Sequence, residues 1–252
     1  MGKVRNKRLD IIKALGILLV ILGHTGIEPA SSFVNLFHVG VFFAISGILF
    51  KENYTDSFSN LLDCILKKIK TLYIPFVLYN IVFLFFRNSF ILLGILEGTM
   101  LTYREILVQI SKILTMTAGE QLLGPCWFIR ALFLLEISFS VIDFISKLIF
   151  KKYSRQIRVI ISIILLIFGY LINVKSPLLP SWLLSNPLNV GTVFSSWSIF
   201  VFGHELYYCY KNNFEVLKDK INYKYSDFFF AGICFFLLII LNCRYYISRC
   251  KH

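Results

Sequence analysis

The chain has 252 residues, 57% of them hydrophobic and only 16% charged, with a mean hydropathy of +0.73 and a formal net charge of +12. A soluble domain carries about a quarter charged residues, so this composition excludes one, and its continuous rather than alternating apolar runs exclude a β-barrel. The basic residues lie between apolar segments and form no patch interleaved with a recognition motif, which excludes nucleic acid as the expected partner.

The expected architecture is an all-α, polytopic transmembrane helical bundle of about seven spans in one domain, 1–252. The opening "MGKVRNKR" leads into an apolar run. Asp10 and Lys13 interrupt that run, and no convincing small-residue cleavage site follows it. A retained first span is therefore expected rather than a cleaved signal peptide. Segments long enough to span lie at roughly 11–27, 33–50, 72–93, 124–146, 157–173, 190–208 and 226–244. Arg87 and Asn88 break the third. Between the third and fourth, "LTYREILVQISKILTMTAG" (100–118) is amphipathic and is expected to lie at the membrane interface. The cysteines at 64, 126, 209, 234, 243 and 250 lack metal-ligand spacing and read as small hydrophobes.

Basic residues in short loops set the orientation. With the N-terminus inside, the inner segments hold Lys3, Arg5, Lys7 and Arg8, then Lys51, Lys67, Lys68 and Lys70. They also hold Lys147, Lys151, Lys152, Arg155 and Arg158, and finally Lys211, Lys218, Lys220 and Lys224. The outer loops carry only Arg104, Lys112 and Lys175, and the tail adds Arg244, Arg249 and Lys251. The N-terminus is therefore expected to be cytoplasmic.

Ionisable groups inside apolar spans are costly and suggest function. The first span carries two, Lys13 and His24. On a helix they are separated by about three turns, or ~16 Å, and share one face to within about 20°. His38 opens the next span and falls toward the same outer side as His24. Ser46 and Gly47 suggest close helix packing more than a nucleophile. Arg130 shares the fourth span with Glu136 and Asp143. It either binds a substrate or pairs with a nearby acid such as Glu120. His204 and Glu205, near the inner end of the sixth span, are expected at the membrane interface. No histidine or acidic cluster has metal-ligand spacing.

Several of these stretches resemble acyltransferase family 3, a family of membrane O-acyltransferases, and within it the fucose-4-O-acetylase-like branch. "RLDIIKALGILLVILGH" is similar to the family's basic residue, ten positions, then histidine. "FHVGVFFAISGILF" is similar to its histidine-containing turn before a Ser-Gly pair. "KKIKTLYIPFVLYN" is similar to its basic pair before a proline-containing span, with Lys67 and Lys70 where many members carry arginines. "CWFIRALFLLEI" is similar to its Trp-Phe span, here Trp127 and Phe128. The resemblance covers about residues 5–145. Members usually have about ten spans, so a C-terminally shortened member is expected.

The resemblance implies transfer of an acetyl or other small acyl group from acetyl-CoA to a carbohydrate hydroxyl, in the bacterial cytoplasmic membrane. A hydroxyl needs a positioned base at neutral pH. His24 fits that role, because burial keeps imidazole neutral. His38 either assists the base or binds the acceptor. Lys13, Lys67, Lys68 and Lys70 are assigned to the CoA phosphates, with snorkelling of Lys13 and a purely topological role for 67–70 as the plain alternatives. Trp127 and Arg130 are assigned to the acceptor, and Asp10 is expected to pair with Lys13. No cofactor is expected to be permanently bound. The alternative function is a non-enzymatic membrane protein for glycan binding, transport or assembly.

Overall fold

The structure is a computed structural model that describes residues 7–23, 38–176, 178–180, 184 and 188–216. Every regular element among them is helical. In chain order these are α1 (Lys7–Gly23), α2 (His38–Leu49), a 3-10 turn (Glu52–Thr55), α3 (Phe58–Lys68) and a π-helical turn (Ile69–Tyr73). Then come α4 (Ile74–Leu92), α5 (Tyr103–Leu114), a second 3-10 stretch (Gln121–Cys126), α6 (Trp127–Phe150), a third (Lys151–Tyr153), α7 (Ser154–Asn173) and α8 (Val190–Val216).

Two stretches among the described residues are long and apolar enough to cross a bilayer. These are Phe58–Leu92, 35 residues long, and Trp127–Asn173, 47 residues long. Seven spans are not shown. The second stretch holds the expected fourth and fifth spans, and α6 ends in it at Lys151, a non-glycine residue with φ 39°. The first two expected spans are the shorter apolar helices Lys13–Gly23 and Val39–Leu49. Twelve residues of α2 rise only about 18 Å, short of the ~30 Å hydrocarbon core. The segment expected at 226–244 lies outside the described residues.

Residues 58–92 form one helical stretch through the π-helical turn. Pro75 lacks an N–H, and its ring would crowd the carbonyl four residues back, at Thr71. The wider turn at Ile69–Tyr73 absorbs that conflict. Arg87 and Asn88 do not break the third span, contrary to expectation, because both are satisfied. Arg87 pairs with Glu120, and the Asn88 side chain both donates to and accepts from the Leu101 backbone.

The chain divides into two compact units. The first comprises Met1–Lys51, Arg158–Val174 and Phe194–His252. Gly16 of α1 lies against the Phe42 ring of α2. α2 and α8 cross backbone to backbone, since a Cβ on Gly47 would lie 2.0 Å from the Phe200 carbonyl oxygen and one on Gly203 would lie 2.2 Å from that of Ala44. This is the small-residue packing expected of Gly47. Arg158, expected in an inner loop, is instead buried and paired with Glu205 at 3.0 Å.

The second unit comprises Glu52–Ile157 and Lys175–Val193. Here α3 packs on α6. Cys64 meets Ser140, and Lys68 meets Glu136 at 2.7 Å. Thr55, just before α3, donates to Asp143, and Lys147 bridges Asp143, Asp56 and Thr55. Phe76 and Leu84 of α4 form a core with Ile113 and Met116, onto which Ile106 and Ile110 of α5 pack. Thus Ile106, Ile110 and Ile113 of the amphipathic segment 100–118 turn to protein, while Leu107, Val108 and Leu114 stay exposed.

The distribution of side chains is inverted relative to a soluble domain. Ile11, Leu15 and Leu18 on α1, Leu78 and Phe85 on α4, and Ile160, Ile164 and Ile167 on α7 are exposed. Asn80, Glu120, Arg130, Glu136, Asp143, Arg158 and His204 are buried. Exposed apolar helix faces over a polar interior fit a protein solvated by lipid.

Candidate functional site

In the second unit, α4, the 115–120 loop and the start of α6 border a half-open cavity of about 220 Å³. It is lined by Phe76, Gly119, Glu120, Leu123, Cys126, Trp127 and Arg130. Phe76 and Asn80 sit one turn apart on α4, and Arg87 lies two turns beyond Asn80 on the same face. The Asn80 amide donates to the Phe76 carbonyl at 2.8 Å, and its oxygen accepts the Glu120 backbone N–H at 2.6 Å. That bond ties the loop to α4. Gly119 eases the approach, because a Cβ there would meet the Asn80 oxygen at a tight 3.1 Å. Arg87 holds the buried Glu120 carboxylate at 2.6 Å.

Arg130 comes from the first turn of α6 and is 7% exposed. Its Nη1 donates to the Met116 carbonyl at 3.1 Å. Met116 sits at φ 56°, a left-handed conformation unusual for a branchless apolar side chain. Arg130 thus steadies a strained turn, but that uses one of its five N–H donors. No carboxylate among the described residues pairs with it. Trp127 precedes it by three residues, on the same helical face, and is exposed. The lining therefore combines a neutralised Glu120, a buried cation, an aromatic wall and a thiol.

The residues singled out in the sequence fall as follows. Trp127 and Arg130 come together at this cavity. Glu120, the acid named as an alternative partner for Arg130, is held by Arg87. The three lysines at the end of α3 separate. Lys68 turns inward to Glu136. Lys67 is exposed, with its ammonium 2.8 Å from the Tyr54 hydroxyl and 5.2 Å from the centre of that ring. Lys70 is exposed on the π-helical turn. In the other unit, Lys13 is half-buried on α1, and His38 begins α2. His24 and the side chains of His38 and Asp10 lie outside the described residues.

His204 is not interfacial. It is 2% exposed in the first unit, with Nδ1 3.3 Å from the Gly47 carbonyl and its ring edge-on to Phe50. The absent Cβ of Gly47 is what lets the two helices approach this closely. Asn80 and Arg87 are the cavity-building residues that sequence reasoning passed over. Their signal was present: two polar groups two turns apart in an apolar helix mark one inward face.

The profile of an acyltransferase domain, that of acyltransferase family 3, matches residues 6–248. No curated protein and no solved structure matches the chain. The match extends well beyond the 5–145 stretch that carries the sequence motifs, and it takes in both units described above. With its helical architecture and lipid-facing apolar surfaces, the chain belongs to acyltransferase family 3 and is, in general terms, a membrane acyltransferase.

Proposed function

We propose that the chain moves an acetyl or other small acyl group from acyl-CoA, with acetyl-CoA the expected donor, to a hydroxyl of a cell-surface or exported carbohydrate. It works in the bacterial cytoplasmic membrane with its N-terminus cytoplasmic. The observation that carries this reading is the cavity, in a chain of this family, that sets the Arg130 guanidinium beside Trp127. A sugar ring offers an apolar face for an aromatic wall and hydroxyls for polar partners. About 220 Å³ suits one small ring and its substituents, well below the size of a drug-sized ligand site.

In the reaction, His24 takes the proton of the acceptor hydroxyl as its oxygen attacks the thioester carbonyl carbon. The C–S bond breaks, and the departing CoA thiolate recovers that proton from the imidazolium. A positioned base contributes about 10²–10⁴-fold in rate. His38 serves beside His24. Lys67 and Lys70, both exposed, hold CoA phosphates. Lys68, paired with Glu136, fixes α3 to α6 and so presents its neighbours.

The test uses membranes from cells with and without the chain, supplied with acetyl-labelled acetyl-CoA. The expected result is alkali-labile label in the carbohydrate fraction only when the chain is present. No chain-dependent label in any acceptor fraction would overturn the reading and favour a non-enzymatic membrane role. Lys67→Gln with Lys70→Gln should raise the acetyl-CoA concentration needed for half-maximal rate. The matching arginine pair should be tolerated, because guanidinium also holds phosphate.

A further inference from the structure

We infer that the Arg130 cavity receives an anionic group, so that the acceptor bears a carboxylate or a phosphate. This rests on the acyltransferase reading above and names the class of its acceptor.

The charges around the cavity balance in only one other place. Glu120 is held by Arg87 at 2.6 Å. The remaining lining residues, Phe76, Gly119, Leu123, Cys126 and Trp127, bring no ordinary counter-charge. Arg130 is left as the net positive group, 7% exposed and bonded to one backbone carbonyl. A buried cation without an acid is costly, and a chain retains one where a ligand completes the pair. Guanidinium is the group suited to such a ligand: its planar fork matches two oxygens of a carboxylate or phosphate, and its charge does not titrate away.

The size of the cavity narrows the ligand further. About 220 Å³ admits a single acidic sugar ring. The exposed Trp127 beside Arg130 offers a ring face for stacking while the anion is gripped within. The Met116 carbonyl accounts for one donor of Arg130, and a single lysine ammonium could serve that carbonyl too. The remaining donors of that rigid fork have no hydrogen-bond partner among the described residues, and they are what the carbonyl does not explain.

The experiment titrates the purified full-length chain in detergent with glucuronate, glucose 6-phosphate and glucose, reading thermal stability and binding heat. An anionic sugar should bind and raise the melting temperature, and glucose at the same concentration should not. Binding of glucuronate alone would identify a carboxylate acceptor, and binding of glucose 6-phosphate alone a phosphorylated one. Arg130→Gln should weaken that binding by about tenfold or more, the least expected for losing a hydrogen bond to a charged group. Because Arg130→Gln also disturbs Met116, a second variant, Trp127→Glu, leaves that bond intact and places a carboxylate beside Arg130. It too should abolish anion binding. Equal stabilisation by glucose, undiminished binding in both variants, or displacement of the acidic sugar by acetyl-CoA would overturn the inference. Acyl-CoA turnover in the same preparation separates the two readings. Acylation of neutral sugars without anion binding sinks the anionic acceptor and leaves the acyltransferase standing. Anion binding without turnover supports the site and counts against the reaction.

Discussion

Lys68 is the one lysine of the 67–70 group that the fold uses internally. Its ammonium lies 2.7 Å from the nearly buried Glu136 carboxylate, with only 17% and 5% of the two side chains exposed. Removing one partner of such a pair strands the other in a poor solvent. Lys68→Met or Glu136→Leu alone should therefore destabilise the chain by roughly 3 kcal/mol. The two together should recover most of the loss. Denaturation midpoints of the singles and the double check this, and additive losses would contradict it. Lys67→Met should be nearly neutral in the same assay, because its ammonium is exposed and an exposed charge contributes little. Arg130 stands out in the sequence as a charge in an apolar span, and Trp127 through the resemblance of its Trp-Phe span to the family. The sequence could not show that Arg87 would take Glu120, since those residues are 33 positions apart and only the folded loop brings them together. Thr55 and Asp143, 88 positions apart, are the same case. His204 was misplaced because its helical position says nothing of Gly47, the residue that lets its ring reach a carbonyl.

The crossing of α2 and α8 depends on two glycines rather than on side-chain fit. Gly47→Leu would drive a side chain into the Phe200 carbonyl. It should cost about 3 kcal/mol or more and be seen as loss of folded, detergent-extractable protein. Gly40→Ala is the control, since its Cβ would meet only the end of Ile199 at 3.4 Å. Comparable damage from both would contradict the close-crossing account. α5 carries a different kind of signal. Thr102 and Glu105 form a reciprocal cap at its N-terminus. Hydrogen bonds from the Thr102 backbone, then from its hydroxyl, hold the Glu105 carboxyl below the usual carboxylate range. A lowered folded-state value means that the cap's contribution is complete above the ordinary carboxylate range and is lost as pH falls through the lowered value. Amide exchange in the first turn of α5 should therefore accelerate in acid, and Thr102→Ala should remove that dependence. Among the described residues element type was legible, because each apolar run is too long and too even for strands. Boundaries were less so. The third span was expected at 72–93, yet the π-helical turn lets the helix run from 58 through Pro75 to 92. Arg87 and Asn88 read as an interruption, yet their partners allow α4 to continue.

At the scale of the whole molecule, the apolar faces of α1, α4 and α7 are outward and the ionisable groups inward, which is the arrangement lipid favours. The proposed orientation puts Lys51 and Lys151 inside and the α4–α5 turn outside. Lys51→Cys and Lys151→Cys should resist an impermeant thiol reagent in intact cells, while Glu97→Cys should react. Labelling of the first two from outside would invert the topology and move the proposed CoA phosphates to the wrong side. The family was legible from short motifs in the first half of the chain, and the matched profile carries it through residue 248. The division into two compact units was not legible, because α7 and α8 return to the first unit from far along the sequence. The central claim is that this chain is an acyltransferase whose base is His24. The most direct measurement is chain-dependent release of CoA from acetyl-CoA in acceptor-containing membranes, comparing the unaltered protein with His24→Ala at equal, verified insertion. The account predicts that release falls by about 10²–10⁴-fold in the variant. A well-inserted His24→Ala protein that releases CoA at a rate close to the unaltered chain would contradict it.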